Sequence, residues 1–223
     1  MTEATITVRE LRRRWKPHKQ RLQALRADHP TNVRIHRACS WLQRAEELAG
    51  DDADAALICR WIAFNSLYGQ WDPQRREPME DRASWRAFMD RILNLDAAGE
   101  IGALLEAQRP LVKDLLGDEY VARFFWEEPG DARARKAKKP MYDARTWYIQ
   151  QQWPLLVERV LERVYLMRCQ LVHGAATWSS QLNRQSLARC SRMLGHLLPA
   201  VLIVMIEHGA DEEWGELCYP PLS

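Results

Sequence analysis

The chain has 223 residues, and its 32 lysines and arginines against 30 aspartates and glutamates give a formal net charge of +2 at neutral pH. This balance excludes an overall basic field, so any binding of nucleic acid must rest on local patches. The five cysteines are widely spaced and include no C-x-x-C pair, which argues against a disulfide framework and a structural zinc site. We therefore expect one compact domain over residues 1–223, with no metal and no other cofactor.

The distribution of apolar residues predicts a cytoplasmic protein with no membrane partner. The N-terminal stretch MTEATITVRELRRRWK lacks the apolar core of a signal peptide. The longest apolar run, residues 197–206, is far shorter than the roughly 20 residues that span a bilayer.

The first half of the chain predicts three helices. Residues 33–50 carry apolar side chains three and four positions apart, which indicates an amphipathic helix opened by Thr31 or Asn32 and closed by Gly50. Residues 51–69 begin with aspartates suited to capping and are then apolar on nearly every face, as expected of a helix at the centre of a bundle. Prolines and charges in residues 71–82 indicate a surface connection before a shorter helix over 84–95.

Two short helices are predicted next, over residues 101–107 and 111–126. Residues 127–145 are polar, interrupted by proline and glycine, and dense in cations, so we expect a basic loop inserted there. Its cations would either bind the phosphate backbone of RNA or simply be solvated. They are Arg133, Arg135, Lys136, Lys138 and Lys139.

The last third predicts two long helices that pair as an antiparallel hairpin. The first starts near Pro154, carries an apolar stripe and ends before Gly174. The second runs over residues 182–208, with Pro199 inside it and Gly209 at its end. Because no strand alternation of useful length is present, the predicted fold class is all-α, a helical bundle.

The end of the first of these helices reads RCQLVHGAATW and contains Arg168 and His173. Five positions along an ideal helix advance about 7.5 Å and turn about 140°, so these side chains do not point the same way from one straight helix. They converge only if His173 lies in a loosened terminal turn, or across a two-fold axis from a second copy of the chain.

Two arginines and two histidines in one cleft would suit the cleavage of RNA. Attack by a 2′-hydroxyl on the adjacent phosphate needs a base, an acid for the leaving 5′-oxygen and positive charge for the phosphorane. Imidazoles titrate near neutral pH and can fill the first two roles, while a guanidinium matches phosphate oxygens. The spacing alone also fits a simpler interpretation, in which cations near a helix C-terminus only satisfy its carbonyls and dipole.

The segment RCQLVHG after a strongly apolar helix resembles the R-x-(4 to 6)-H signature of HEPN-domain proteins. Its continuation, GAATWSSQLNRQSLARCSRMLGHLLP, resembles Apea-like HEPN members, and RWIAFNSLYG is similar to their central helix. The resemblance implies an all-α bundle, a homodimer and a metal-independent endoribonuclease acting in toxin, phage-defence or RNA-processing systems. It implies Arg168 and His173 as the catalytic pair. Many HEPN signatures place Asn, Asp or His directly after the arginine, whereas this chain has Cys169.

Three further residues are weaker candidates for supporting roles. Asn65 lies in an apolar helix, so it either orients His173, binds RNA or makes a hydrogen bond within the core. Tyr165 lies one turn before Arg168 and would stack on a base, hold the arginine or pack in the core. Cys169 follows the arginine and has no evident base beside it in the sequence, which favours a packing role.

Two other classes of function remain open at this point. A non-catalytic module would use the same basic cleft to hold RNA, a nucleotide or a partner protein, and Cys169 keeps this alternative open. A purely structural bundle would use its final helix for association. The expected partners are an RNA substrate, a second copy of the chain and an antitoxin or regulatory protein.

Overall fold

A computed structural model describes residues 6–179, 181 and 183–220. These residues are mostly helical, which confirms the all-α class. The helices are α1 (Val8–Leu25), α2 (Pro30–Leu48), α3 (Ala53–Tyr68), α4 (Asp81–Leu95), α5 (Glu100–Ala107), α6 (Arg109–Leu116), α7 (Asp131–Ala137), α8 (Lys139–Ile149), α9 (Trp153–Val172) and α10 (Arg184–Glu207). An antiparallel two-stranded ribbon, β1 (Trp71–Asp72) and β2 (Glu77–Pro78), joins α3 to α4 within the predicted surface connection.

Helix α1 lies in a stretch for which no element is predicted. Thr7 caps it by accepting a hydrogen bond from the Glu10 amide at 3.4 Å. Helix α2 begins slightly earlier than predicted, because Pro30 occupies its first turn and the ring of His29 accepts from the Thr31 amide at 3.3 Å. Both helices bury one apolar face against the rest of the bundle.

Helix α3 is the central helix that its apolar sequence predicts. Asp52 caps it through the Ala55 amide at 2.9 Å, and the helix packs against α2, α4, α9 and α10. Buried apolar side chains from both ends of the chain, Val8 on α1 and Ile206 on α10 included, form one continuous core around it. That position makes its C-terminal end a fixed support for the residues near Arg168.

The predicted helix over residues 111–126 is shorter than expected. Helix α6 ends at Leu116, and two 3₁₀ turns follow, Glu119–Val121 and Arg123–Phe125. Asp118 caps the first of these turns by accepting from the Tyr120 amide at 3.1 Å. The buried guanidinium of Arg163 donates to the carbonyls of Leu116 and Asp118, which fixes this break in the helix.

The basic loop predicted at about residues 127–145 is instead largely helical, and the prediction of a loop is wrong. Helix α7 and the first part of α8 occupy this segment. Alanine, lysine and arginine favour helix, and Pro140 lies in the first turn of α8, where a missing N–H costs nothing. Ala137 and Ala144 are buried, so each helix is anchored to the protein by a small side chain.

Helices α9 and α10 form the predicted antiparallel pair. Asn183 lies against Gln170, and Cys190 lies against Arg163, so the contacts run in opposite directions along the two helices. The predicted start of α10 at residue 182 lies outside the described residues. Helix α10 is long and apolar enough to cross a membrane by length and composition, but its most apolar window is 78% buried inside the protein.

Candidate functional site

The C-terminal turn of α9 fixes the backbone of His173. The helix ends at Val172, and Gly174 follows in the left-handed conformation with φ +70°. The Gly174 amide donates to the Leu171 carbonyl and the Ala175 amide to the Gln170 carbonyl, the two hydrogen bonds of a Schellman motif. The chain therefore leaves α9 in a defined direction, with the side chain of His173 exposed to solvent.

Arg168 lies one helical turn before this end and points towards α3 and α4. Its Cζ atom is 5.8 Å from the ring centre of Trp61 and 5.9 Å from that of Tyr165. The carboxylate oxygen Oδ2 of Asp81 is 4.0 Å from its Nη1 atom, beyond hydrogen-bonding distance. Its closest acceptor among the described residues is the thiol of Cys169 at 3.9 Å. The guanidinium is thus held in place while most of its donors remain available.

Asp81 belongs to a small polar network at the junction of α3 and α4. The hydroxyl of Tyr68 donates a short hydrogen bond to Oδ1 of Asp81, and Asn65 Nδ2 approaches the same oxygen at 3.4 Å. Asn65 also lies 3.2 Å from the Tyr68 hydroxyl. Burial, reinforced by Asp81, raises the pKa of Tyr68, so its hydroxyl stays protonated and keeps donating. Below, Arg168, Asp81, Tyr165, Trp61 and Tyr68 are together called the Arg168 site.

The three supporting candidates are brought to this site but not to His173. Asn65 contacts Tyr68 and Asp81, which agrees with the alternative in which it makes a hydrogen bond within the core. Tyr165 presents its ring to Arg168, and burial followed by the neighbouring Cys169 raises the pKa of its hydroxyl. Cys169 contributes the weak thiol contact to Arg168.

His173 and Arg168 do not meet within one copy of the chain. The side chain of His173 makes no hydrogen bond or ion pair with residues 6–179, 181 or 183–220. Its neighbour Val172 is 53% exposed, and Trp178 in the following segment is 74% exposed. The terminal turn therefore presents an imidazole and large apolar side chains to solvent.

Arg82 is a member of this environment that the sequence does not single out. Its Cζ atom lies 5.1 Å from the ring centre of Tyr165, so the ring of Tyr165 has two guanidinium groups within 6 Å of its centre. In the sequence Arg82 closes a charged stretch that predicts a surface connection. The available signal was its position directly after Asp81, in the first turn of a helix.

The cations predicted to bind RNA lie on α7 and at the start of α8, away from the rings that hold Arg168. Arg133 is 3.8 Å from Glu127 and 3.5 Å from Glu128 in ion pairs. Arg135, Lys136 and Lys139 are exposed. Lys138 lines an open cleft of about 690 Å³ beside the N-terminus of α10, which also contains Asp118 and Tyr120.

No family model matches this chain. Searches of curated proteins and of solved structures also find nothing similar to it. Within the described part of the chain, no group of three or more His, Cys, Asp or Glu side chains is arranged to hold a metal ion.

The arrangement around Arg168 is suited to binding an anion. A guanidinium within about 6 Å of two aromatic rings is attracted to their faces, and its planar fork of N–H donors matches the oxygens of a phosphate. The rings restrict its rotamers, so less entropy is lost when the anion binds.

Proposed function

We propose that the protein is a metal-independent endoribonuclease of the HEPN type, which cleaves single-stranded RNA at a site composed of two copies of the chain. The observation that carries the proposal is the state of Arg168, whose guanidinium is held by Trp61 and Tyr165 while its nearest carboxylate lies 4.0 Å away. The N–H donors of an arginine placed in this way can bind a phosphate, because they are not already used in hydrogen bonds to a carboxylate of the protein.

In this mechanism Arg168 binds the scissile phosphate and stabilises the charge that develops on the phosphorane. One His173 takes the proton of the 2′-hydroxyl, and the other protonates the leaving 5′-oxygen. The products are a 2′,3′-cyclic phosphate and a 5′-hydroxyl, so protons balance over the two imidazoles.

The second copy is needed because no contact joins Arg168 to His173 within one chain, and because the mechanism uses two imidazoles. Exposed Val172 and Trp178 flank His173 and supply apolar surface for association at this end of α9. A two-fold axis close to this turn would bring both histidines and both arginines into one cleft. By its resemblance, we place the enzyme in the cytoplasm, in a toxin or phage-defence setting with an antitoxin or regulatory partner.

The substitution His173→Ala tests the proposal. We expect cleavage of single-stranded RNA to fall by a factor of about 100 or more, as for the loss of a general acid or base. Gel analysis of RNA incubated with wild-type protein and EDTA should show products with cyclic phosphate ends. His36→Ala, at another exposed histidine, is the matched control and should cleave normally. Undiminished cleavage by the His173 variant would contradict the assignment.

A non-catalytic binding module is the second candidate function. It is favoured by the separation of Arg168 and His173 in one chain and by the engagement of Asn65 with Tyr68 and Asp81 instead of His173. Under this alternative, RNA binds to the wild-type protein and to His173→Ala equally, and no cyclic phosphate product appears.

A further inference from the structure

We infer that Arg82 is a second phosphate-binding residue of the Arg168 site, which holds a phosphate next to the scissile one on the same RNA strand. This inference rests on the proposed function, because it states which phosphate of the RNA substrate the site binds in addition to the scissile one. It adds a second cation, on α4, to a site whose first cation, Arg168, lies on α9.

The geometry places both cations around one ring. The guanidinium carbons of Arg82 and Arg168 lie 5.1 Å and 5.9 Å from the ring centre of Tyr165. Arg82 comes from the first turn of α4 and Arg168 from the last turns of α9, so two different helices direct positive charge to the same place. A ring shared in this way fixes the relative positions of both groups.

Arg82 differs from the other arginines of α4 in its partners. Arg86 forms ion pairs with Glu158 at 3.0 Å and Glu162 at 2.6 Å. Arg91 is paired with Glu212 while it stacks on Trp214 at 4.7 Å. No ion pair joins Arg82 to a carboxylate of the described residues, and its Nε atom is buried without a hydrogen-bond partner. The Nε atom of Arg86 is also buried without a partner, so what sets Arg82 apart on this helix is that no carboxylate of the described residues pairs with its charge.

The local charge balance also favours an anion. Asp81 is the carboxylate that faces Arg168, and one of its oxygens is already occupied by Tyr68 and Asn65. One carboxylate cannot neutralise two guanidinium groups, so the site keeps a positive charge. Consecutive phosphates of a single RNA strand offer the two separate negative charges that such a site can take up.

Binding measured without cleavage tests this role. The probe is a short, fluorescein-labelled 2′-O-methyl oligoribonucleotide of mixed sequence, which cannot undergo 2′-hydroxyl attack, and its affinity is followed by anisotropy over a series of KCl concentrations. For Arg82→Gln we expect weaker binding by a factor of 5 or more. The slope of log K against log salt should become shallower by about 0.7, as for the loss of one single-strand phosphate contact.

Arg91→Gln is the matched control, because it removes the same charge from the same helix at an arginine that also stacks on a ring. It should leave both affinity and slope unchanged. Arg82→Lys retains the charge without the planar fork, so it should keep the slope and weaken binding only in part. This variant also serves as the test if the glutamine variant does not fold, as judged by circular dichroism.

The outcomes separate this inference from the proposed function. If the wild-type protein does not cleave RNA, and Arg82→Gln loses oligonucleotide binding, then Arg82 binds phosphate as inferred but the proposed ribonuclease activity is wrong. The inference would be overturned if Arg82→Gln bound the oligonucleotide as tightly as the wild type. It would also be overturned if Arg91→Gln lost as much affinity as Arg82→Gln, or if the wild type did not bind the oligonucleotide.

Discussion

Arg34, Arg163 and Arg168 show two ways in which this protein accommodates a guanidinium. Arg34 is fully buried and donates to the carbonyls of Leu67, Gly69, Trp214, Gly215 and Glu216. Arg163 is buried and donates to three carbonyls in the same manner. Burial lowers the pKa of Arg34 to about 10, which still leaves it charged at neutral pH. The terminal nitrogens of Arg34 and Arg163 thus donate to backbone carbonyls, whereas Arg168 makes no hydrogen bond to the backbone of the described residues. Under the proposed function, this difference leaves Arg168 able to bind a phosphate.

The hydroxyl of Tyr68 offers a test of the polar network that supports Arg168. Tyr68→Phe removes a buried hydrogen bond to the carboxylate of Asp81, so we expect a loss of about 1.5 to 3 kcal/mol in the free energy of unfolding, the range for bonds to charged groups. Urea denaturation measures it. Tyr148→Phe is the control, because that hydroxyl donates to the neutral carbonyl of Leu105 at 2.9 Å and should cost about 1 kcal/mol. A larger cost at Tyr148 would contradict the description of the network.

At the scale of elements, periodic apolar residues predicted α2, α3, α4, α9 and α10 well. The pattern did not predict the helices at residues 131–149. A run of Ala, Arg and Lys is found both in solvated loops and on helix surfaces. What makes this run helical is the burial of Ala137 and Ala144 against other parts of the chain, which no local pattern shows. The end of α6 was missed for the same reason, since it depends on the guanidinium of Arg163 from α9.

The site was predictable only in part. The sequence drew attention to Arg168, His173, Asn65, Tyr165 and Cys169, and all except His173 lie around one junction of helices. Asp81 and Arg82 were not predicted as site residues, because they lie in a charged stretch whose composition is typical of a surface connection. Their proximity to Tyr165 arises from the packing of α4 against α9 and is not encoded in any spacing along the chain.

The segment after α10 is attached to the bundle through Arg34, and this gives a prediction. Arg34→Met leaves five carbonyl groups without their donor, so we expect a loss of at least about 3 kcal/mol in the free energy of unfolding. Hydrogen exchange should also speed up selectively at the Trp71 amide, which donates to the Glu216 carbonyl at 3.2 Å.

Arg163→Met is the counterpart of this variant. It should destabilise the protein by a similar mechanism, with faster exchange near residues 116–121 and not at Trp71. If exchange at Trp71 responded equally to both substitutions, Arg34 would not be a local anchor.

At the scale of the whole molecule, the proposed activity depends on association of two chains. Val172→Asp places a charge on exposed apolar surface beside His173, so it should shift the protein to monomer in sedimentation equilibrium and lower cleavage to the level of His173→Ala. Folding should be unaffected, because the side chain is half exposed.

Leu25→Asp provides the comparison, since Leu25 is 73% exposed at the end of α1. It should remain associated and active. A Val172 variant that is monomeric and fully active would show that one chain is sufficient and would remove the two-fold site.

The Schellman turn at the end of α9 has a practical consequence for experiments on residue 173. Main-chain hydrogen bonds and Gly174 set its location, and its side chain is exposed to solvent. Every residue type except proline should be accommodated there with the architecture intact. Saturation of this single codon would then report on what the imidazole does in proton transfer and in association of two chains, without the folding defects that accompany substitution of buried catalytic groups.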